Sequence, residues 1–143
     1  MEITDPLAQY RQDAVNTATA EQLVLMLYRE ALAQVELCRE RLSESPRQGL
    51  QLTEQARNIF AALADNVNLG HSFGPAMRDL YLYCWRTLLT VATSGDVEGL
   101  DPVERVLKNL IAGLEQYRQR QAAASTATDQ DAAREPMSVN FAG

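Results

Sequence analysis

Apolar side chains recur at steps of three and four through four successive segments of this chain, and that spacing constrains its fold more than any other feature. The first stripe is Leu23, Met26, Leu27, Ala31, Val35, Cys38 and Leu42; the second is Leu52, Ala56, Ile59, Phe60, Leu63 and Val67. Met77, Leu80, Tyr81, Cys84, Leu88 and Val91 form the third, and Val103, Leu107, Leu110, Leu114 and Tyr117 the fourth. Such spacing places each set on one face of an α-helix. No segment alternates apolar and polar residues long enough to argue a strand, so the expected class is all-α.

The breaks between stripes carry stop and start signals. Thr19 with Gln22 three positions on reads as a capping box, starting a helix from about Ala20 to Ser43. Ser45-Pro46 ends it, because the residue before proline is pushed out of helical space. The second helix is expected over roughly Gln48 to Leu69, broken by Gly70–Gly74. Pro75 opens the third, and Ser94-Gly95 closes it. Asp101-Pro102-Val103-Glu104 reads as an aspartate cap with proline first, opening the fourth helix.

Helices of about 25 to 36 Å joined by short loops predict an antiparallel four-helix bundle running up-down-up-down. Asp5-Pro6 starts a short element carrying Leu7, Tyr10 and Ala14 on one side, too short to stand alone. From about Arg120 the composition turns to Ala, Ser, Thr, Gln and Asp, and reads as a disordered tail. The expected organisation is therefore an N-terminal helical arm over 1–18, a bundle over 19–120 and a tail over 121–143. Val139 and Phe141, near the end of that tail, are apolar enough to dock on a groove of this molecule or a neighbour.

The chain has 143 residues, enough for one domain with a real core. No stretch of roughly 18 uncharged apolar residues offers a membrane-spanning helix, and Glu2 and Asp5 are unlike a secretion signal, so a cytoplasmic location is expected, with no direct membrane insertion. The formal net charge is −6, with a single lysine, Lys108, and no basic stripe, which argues against nucleic acid as a partner. Cys38 and Cys84 each lie on an apolar face, where cysteine behaves as a small buried hydrophobe.

Few residues carry the spacing of chemistry. Gly70-His71-Ser72-Phe73-Gly74 matches the nucleophile elbow of α/β-hydrolases, but that motif needs a strand before it and a histidine base from elsewhere. A helix precedes it here, and His71 is the only histidine. A helical-bundle metal site needs Glu-x-x-His pairs, which a single loop histidine excludes, and phosphate-binding glycine loops are absent. No enzyme activity, metal or cofactor is expected.

Aromatic residues give the better candidates. At 100° per residue, Tyr81, Tyr83 and Trp85 fan across a wide arc and cannot share one core seam. Tyr81 is assigned to the core, while Tyr83 and Trp85 are either half-buried flank residues or the lining of a partner groove. Tyr10 is either a staple that pins a weak N-terminal helix or a removable cover over an apolar groove, and one residue can do both.

Several stretches resemble one family. Tyr10, then Val15-Asn16-Thr17-Ala18-Thr19, then Gln22-Leu23-Val24-Leu25-Met26-Leu27-Tyr28, is similar to the opening of the flagellin export chaperones, FliS. Ala56-Arg57-Asn58-Ile59 resembles the family's A-x-N-I stretch, and Leu80-Tyr81-Leu82-Tyr83 with Arg86 and Leu88 its L-Y-x-Y-x-x-R-x-L. The likeness covers about residues 5 to 117. Glu30 stands where the family often has glycine, Tyr117 where it commonly has a closing tryptophan, and the Gly70–Gly74 loop differs in detail.

The resemblance implies a cytoplasmic chaperone that binds the C-terminal segment of flagellin, prevents premature polymerisation and delivers it to the flagellar type III export gate protein FlhA. It leaves open an anti-sigma factor as a further partner, and a monomer or a homodimer as the free state. With helical geometry, it nominates Leu7, Tyr10, Val15, Asn16, Thr17, Ala18, Leu23, Tyr81, Tyr83 and Trp85 as the flagellin-binding groove and its cap. A self-associating helical adaptor without a flagellin client, assembled through the arm and the Val139–Phe141 tail, is the alternative reading.

Overall fold

A computed structural model describes residues 20–132, with side chains through 124; residues 1–19 and 133–143 lie outside the described residues. Four helices follow one another: α1 (Ala20–Glu44), α2 (Pro46–Asp65), α3 (Gly74–Ser94) and α4 (Leu100–Ala132), with a short 3₁₀ turn at Val97–Gly99 before the last. Consecutive helices pack as neighbours, and α4 closes the ring against α1. This is the expected all-α, antiparallel bundle, and no strand occurs among the described residues.

One core runs through it. Leu27, Val35, Cys38, Phe60, Cys84, Leu88, Val91, Leu100, Val103 and Leu107 are almost wholly enclosed, and all but Leu100 lie on the four expected stripes. Met26 departs from the first stripe: it is 47% exposed, and Tyr28 is buried in its stead. The two flank Leu27 on opposite sides at about 100° each, so only one can face inward. The stripe Tyr28-Ala31-Val35-Cys38-Leu42 chooses Tyr28.

The helix ends also refine the sequence reading. Ser45 caps α2, its hydroxyl accepting from the Gln48 N–H at 3.5 Å, with Pro46 in the first turn. That helix stops at Asp65, short of the expected Leu69, and Val67 falls in the following turn, half-buried. Leu52 is only partly buried, because Thr53 takes the inner position and turns its hydroxyl to the Leu50 carbonyl at 2.7 Å. Helix α3 ends at Gly95 in the left-handed conformation, as expected.

Asp101 is not the cap of α4. Asp96 caps the preceding 3₁₀ turn, its carboxylate accepting from the Glu98 N–H at 3.0 Å, and the chain passes directly into the helix at Leu100. Asp101 and Pro102 then sit in the first turn, where an acidic side chain faces the positive end of the helix and proline lacks no needed N–H.

Helix α4 outlasts its partners. Leu100, Val103 and Leu107 are enclosed, Leu110, Ile111 and Leu114 are partly buried, and Tyr117, expected inside, is 45% exposed with its hydroxyl accepting from Gln121 Nε2 at 2.6 Å. The helix nevertheless continues to Ala132, past the expected boundary at Arg120. Alanine and glutamine, frequent in residues 121–132, are favourable helix formers, and they extend a helix already nucleated by packing. Gln121 to Ala124 bury nothing.

Candidate functional site

Of the residues nominated from sequence, Leu7, Tyr10, Val15, Asn16, Thr17 and Ala18 lie outside the described residues, as does Thr19 of the capping box. The other four are Leu23 on α1 and Tyr81, Tyr83 and Trp85 on α3. The structure gathers Leu23, Tyr81 and Trp85 into the same apolar cluster, the first two buried and Trp85 packed half-covered against it. Tyr83 stands apart at 41% exposure, two residues and about 200° round the helix from Tyr81.

Tyr81 is held by a partner the sequence reading missed. Its hydroxyl lies 2.7 Å from that of Tyr28 on α1, with ring centroids 6.3 Å apart, and the Phe60 ring of α2 lies 6.4 Å from it. Three helices thus meet at one aromatic knot. Burial raises the pKa of both phenols above the ordinary range, so they stay neutral hydrogen-bonding groups at any physiological pH. Cys84, one turn on, has its thiol pushed up to about 12 by burial, which makes it inert packing. Cys38 and Cys84 are both free and buried.

Outside that knot, α3 keeps apolar groups at the surface. Leu82 and Trp85 are partly covered, and Tyr83 and Leu89 are exposed. On α1, Leu25 is buried yet stands outside the core cluster, while Met26 and Leu37 are exposed. Helices α3 and α4 are also the least closely packed of the neighbouring helix pairs. Side chains of this size, half-enclosed along helix flanks, offer apolar contact to another polypeptide.

Charge lies elsewhere. Arg39 of α1 donates to Asp101 and Glu104 of α4, and Lys108 joins Glu104 at 3.4 Å. Around them is a shallow charged depression lined by Asp101, Glu104, Arg105 and Lys108. Farther along the same pair of helices, Arg29 meets Glu115. These pairs fix the register of α1 against α4. Ser72 and His71 sit in an exposed turn between two helices, without the strand that a nucleophile elbow requires. Among the described residues no group of His, Cys, Asp and Glu is placed to hold a metal ion, and no helix is long and apolar enough to cross a membrane.

Comparison with known proteins bears on the whole of this bundle. The chain matches the family described as "Flagellar protein FliS" over residues 3–127. It is also 31% identical over 106 residues to the flagellar secretion chaperone FliS of Bacillus subtilis (strain 168), an alignment covering 73% of this chain and 79% of that protein. The matched span takes in the first three helices, α4 as far as residue 127, and the aromatic knot. The chain belongs to the FliS family of flagellar proteins.

Proposed function

We propose that this protein is a cytoplasmic flagellar secretion chaperone that binds the C-terminal segment of flagellin, keeps it from polymerising early and hands it to the export apparatus. The observation that carries this reading is the family match, which spans the entire bundle from before α1 to within the last turns of α4. The chaperone name of the Bacillus relative supports it.

The physics of the surface supports it as well. A disordered client that folds on binding spends roughly 2 to 5 kcal/mol on ordering, so it needs long apolar contact in return. The flanks of α1 and α3, with Met26, Leu37, Tyr83, Trp85 and Leu89 uncovered or half-covered, are where such contact is available. In this reading Leu7, Tyr10 and Val15 shield apolar surface in the empty protein and give way to the client. Asn16, Thr17, Ala18 and Leu23 belong to the same flagellin-binding groove and cap. Transfer to an export-gate protein such as FlhA releases the client without a nucleotide.

Calorimetric titration with the C-terminal segment of the host flagellin tests the reading. Saturable one-to-one binding with a large negative heat-capacity change is expected, because that change reports buried apolar surface. Tyr83→Ala and Tyr10→Ala are each expected to alter the affinity. A folded sample that binds nothing at tens of micromolar would overturn the client assignment.

A further inference from the structure

The turn between α2 and α3 carries the two most exposed large apolar side chains among the described residues, Leu69 at 55% and Phe73 at 69%. They are held out by a built turn. Asn68 Oδ1 accepts from the Gly70 N–H at 2.9 Å, the Asn68 carbonyl from the His71 N–H at 3.1 Å, and the His71 carbonyl from the Gly74 N–H at 2.9 Å. His71 Nδ1 accepts from the Phe73 N–H at 3.2 Å, and its ring lies 5.6 Å from that of Phe73. A Cβ on Gly74 would stand 2.0 Å from the Asn68 carbonyl oxygen, so only glycine closes this turn. A fixed, exposed apolar pair of this kind marks a contact surface.

The topology brings one unassigned segment of the chain to it. Helix α2 ends beside the start of α1, which places the turn at that end of the bundle. The Arg39–Asp101 and Arg29–Glu115 pairs run α4 antiparallel to α1, so the last part of α4 arrives at the same end. By that register the start of α1 is level with the stretch near Ala124, and α4 reaches Ala132 about 12 Å farther on. Residues 133–143 follow, and extended they span roughly 35 Å, enough to return to the turn. Within them Met137-Ser138-Val139-Asn140-Phe141, after Pro136, alternates apolar and polar residues. In an extended chain the three apolar side chains share one side.

We infer that residues 137–141 dock in cis across the Leu69–Phe73 turn, covering the apolar pair with Met137, Val139 and Phe141. A short tether supplies an effective concentration on the order of millimolar, so a weak contact suffices. The docked tail is a built-in cover for one end of the bundle, separate from the helix flanks assigned to a client.

Amide NMR spectra of the full chain test this, compared with a chain ending at Glu135, with Val139→Ser/Phe141→Ser, and with Phe73→Ser. Truncation and the tail double variant should shift the same amides, from Leu69 to Gly74, and speed their exchange about five-fold. Phe73→Ser, at an exposed position, should leave the fold intact and sharpen the tail resonances to those of the free 136–143 peptide. All shifts should be independent of protein concentration. A turn indifferent to loss of the tail overturns the inference. So does an effect that dilutes away, which places the segment on a second copy, or a turn that responds only to removal of residues 1–19.

Discussion

Two hydroxyls, those of Tyr28 and Tyr81, meet at 2.7 Å inside an otherwise apolar core and are the polar contact that ties α1 to α3 across the bundle. Their energetics are asymmetric. Tyr81→Phe strands the buried Tyr28 hydroxyl and should destabilise by about 1 to 3 kcal/mol, whereas removing both hydroxyls leaves nothing unpaired. The double variant Tyr28→Phe/Tyr81→Phe should therefore cost clearly less than the sum of the singles, with about 1 kcal/mol of coupling in urea denaturation. Strict additivity would mean the hydroxyls do not support each other. Gly49 poses a second residue-scale question, because glycine inside a helix normally forfeits about 0.5 to 1 kcal/mol relative to alanine. Here a Cβ would lie 2.5 Å from Leu42 Cδ1 and 2.8 Å from Leu42 Cα, a backbone atom that cannot swing aside. The clash outweighs propensity, and Gly49→Ala should lower stability by about 1 to 3 kcal/mol; a rise in the urea midpoint would refute that ordering of the two effects.

At the scale of elements, periodicity made the four helices and most of their inner faces legible, and the errors cluster where partners decide. Met26 and Tyr28 both fit a three-or-four step from their neighbours, and only the facing helices select Tyr28. The fan of Tyr81, Tyr83 and Trp85 followed from 100° per residue alone. The partner of Tyr81, 53 residues away, did not, because nothing local encodes that pairing. Asp101 looked like a cap by composition, but Asp96 performs that role one turn earlier, which frees Asp101 to meet Arg39. This clasp is testable by pH. Burial works against the Glu104 carboxylate, yet the Arg39 hydrogen bond and charge, aided by Lys108, hold its pKa below the usual carboxylate value. A depressed folded pKa gives stability that is present above the unfolded value, near 4.3, and lost as pH falls through the folded one. Arg39 is about a third exposed, so solvent screening keeps the effect modest. Glu104→Gln should cost about 0.5 to 1 kcal/mol at pH 7, and the gap to the wild type should close as pH falls through the depressed folded value. A gap unchanged at low pH would assign the cost to packing.

Across the whole molecule, cohesion is most uneven along α4. The α1–α2 turn and the start of α4 are tightly packed, with Cys38, Leu88, Val91, Leu100 and Val103 enclosed. Burial then thins along α4 from Leu110 onward, and α4 packs less closely on α3 than on α1. Opening that seam exposes little apolar area, so its free energy should lie well below that of global unfolding. Native-state hydrogen exchange should rank the amides accordingly. Those of α1 around Val35 and of α2 around Phe60 should exchange only through global unfolding, those of α4 near Leu107 close behind, and those beyond Leu114 at least about 2 kcal/mol more easily. Equal protection along α4 would contradict the gradient. The gradient also bears on the client proposal. A partner segment entering between α3 and α4 would displace few existing contacts there, and bound client should raise protection beyond Leu114 more than anywhere near Leu107.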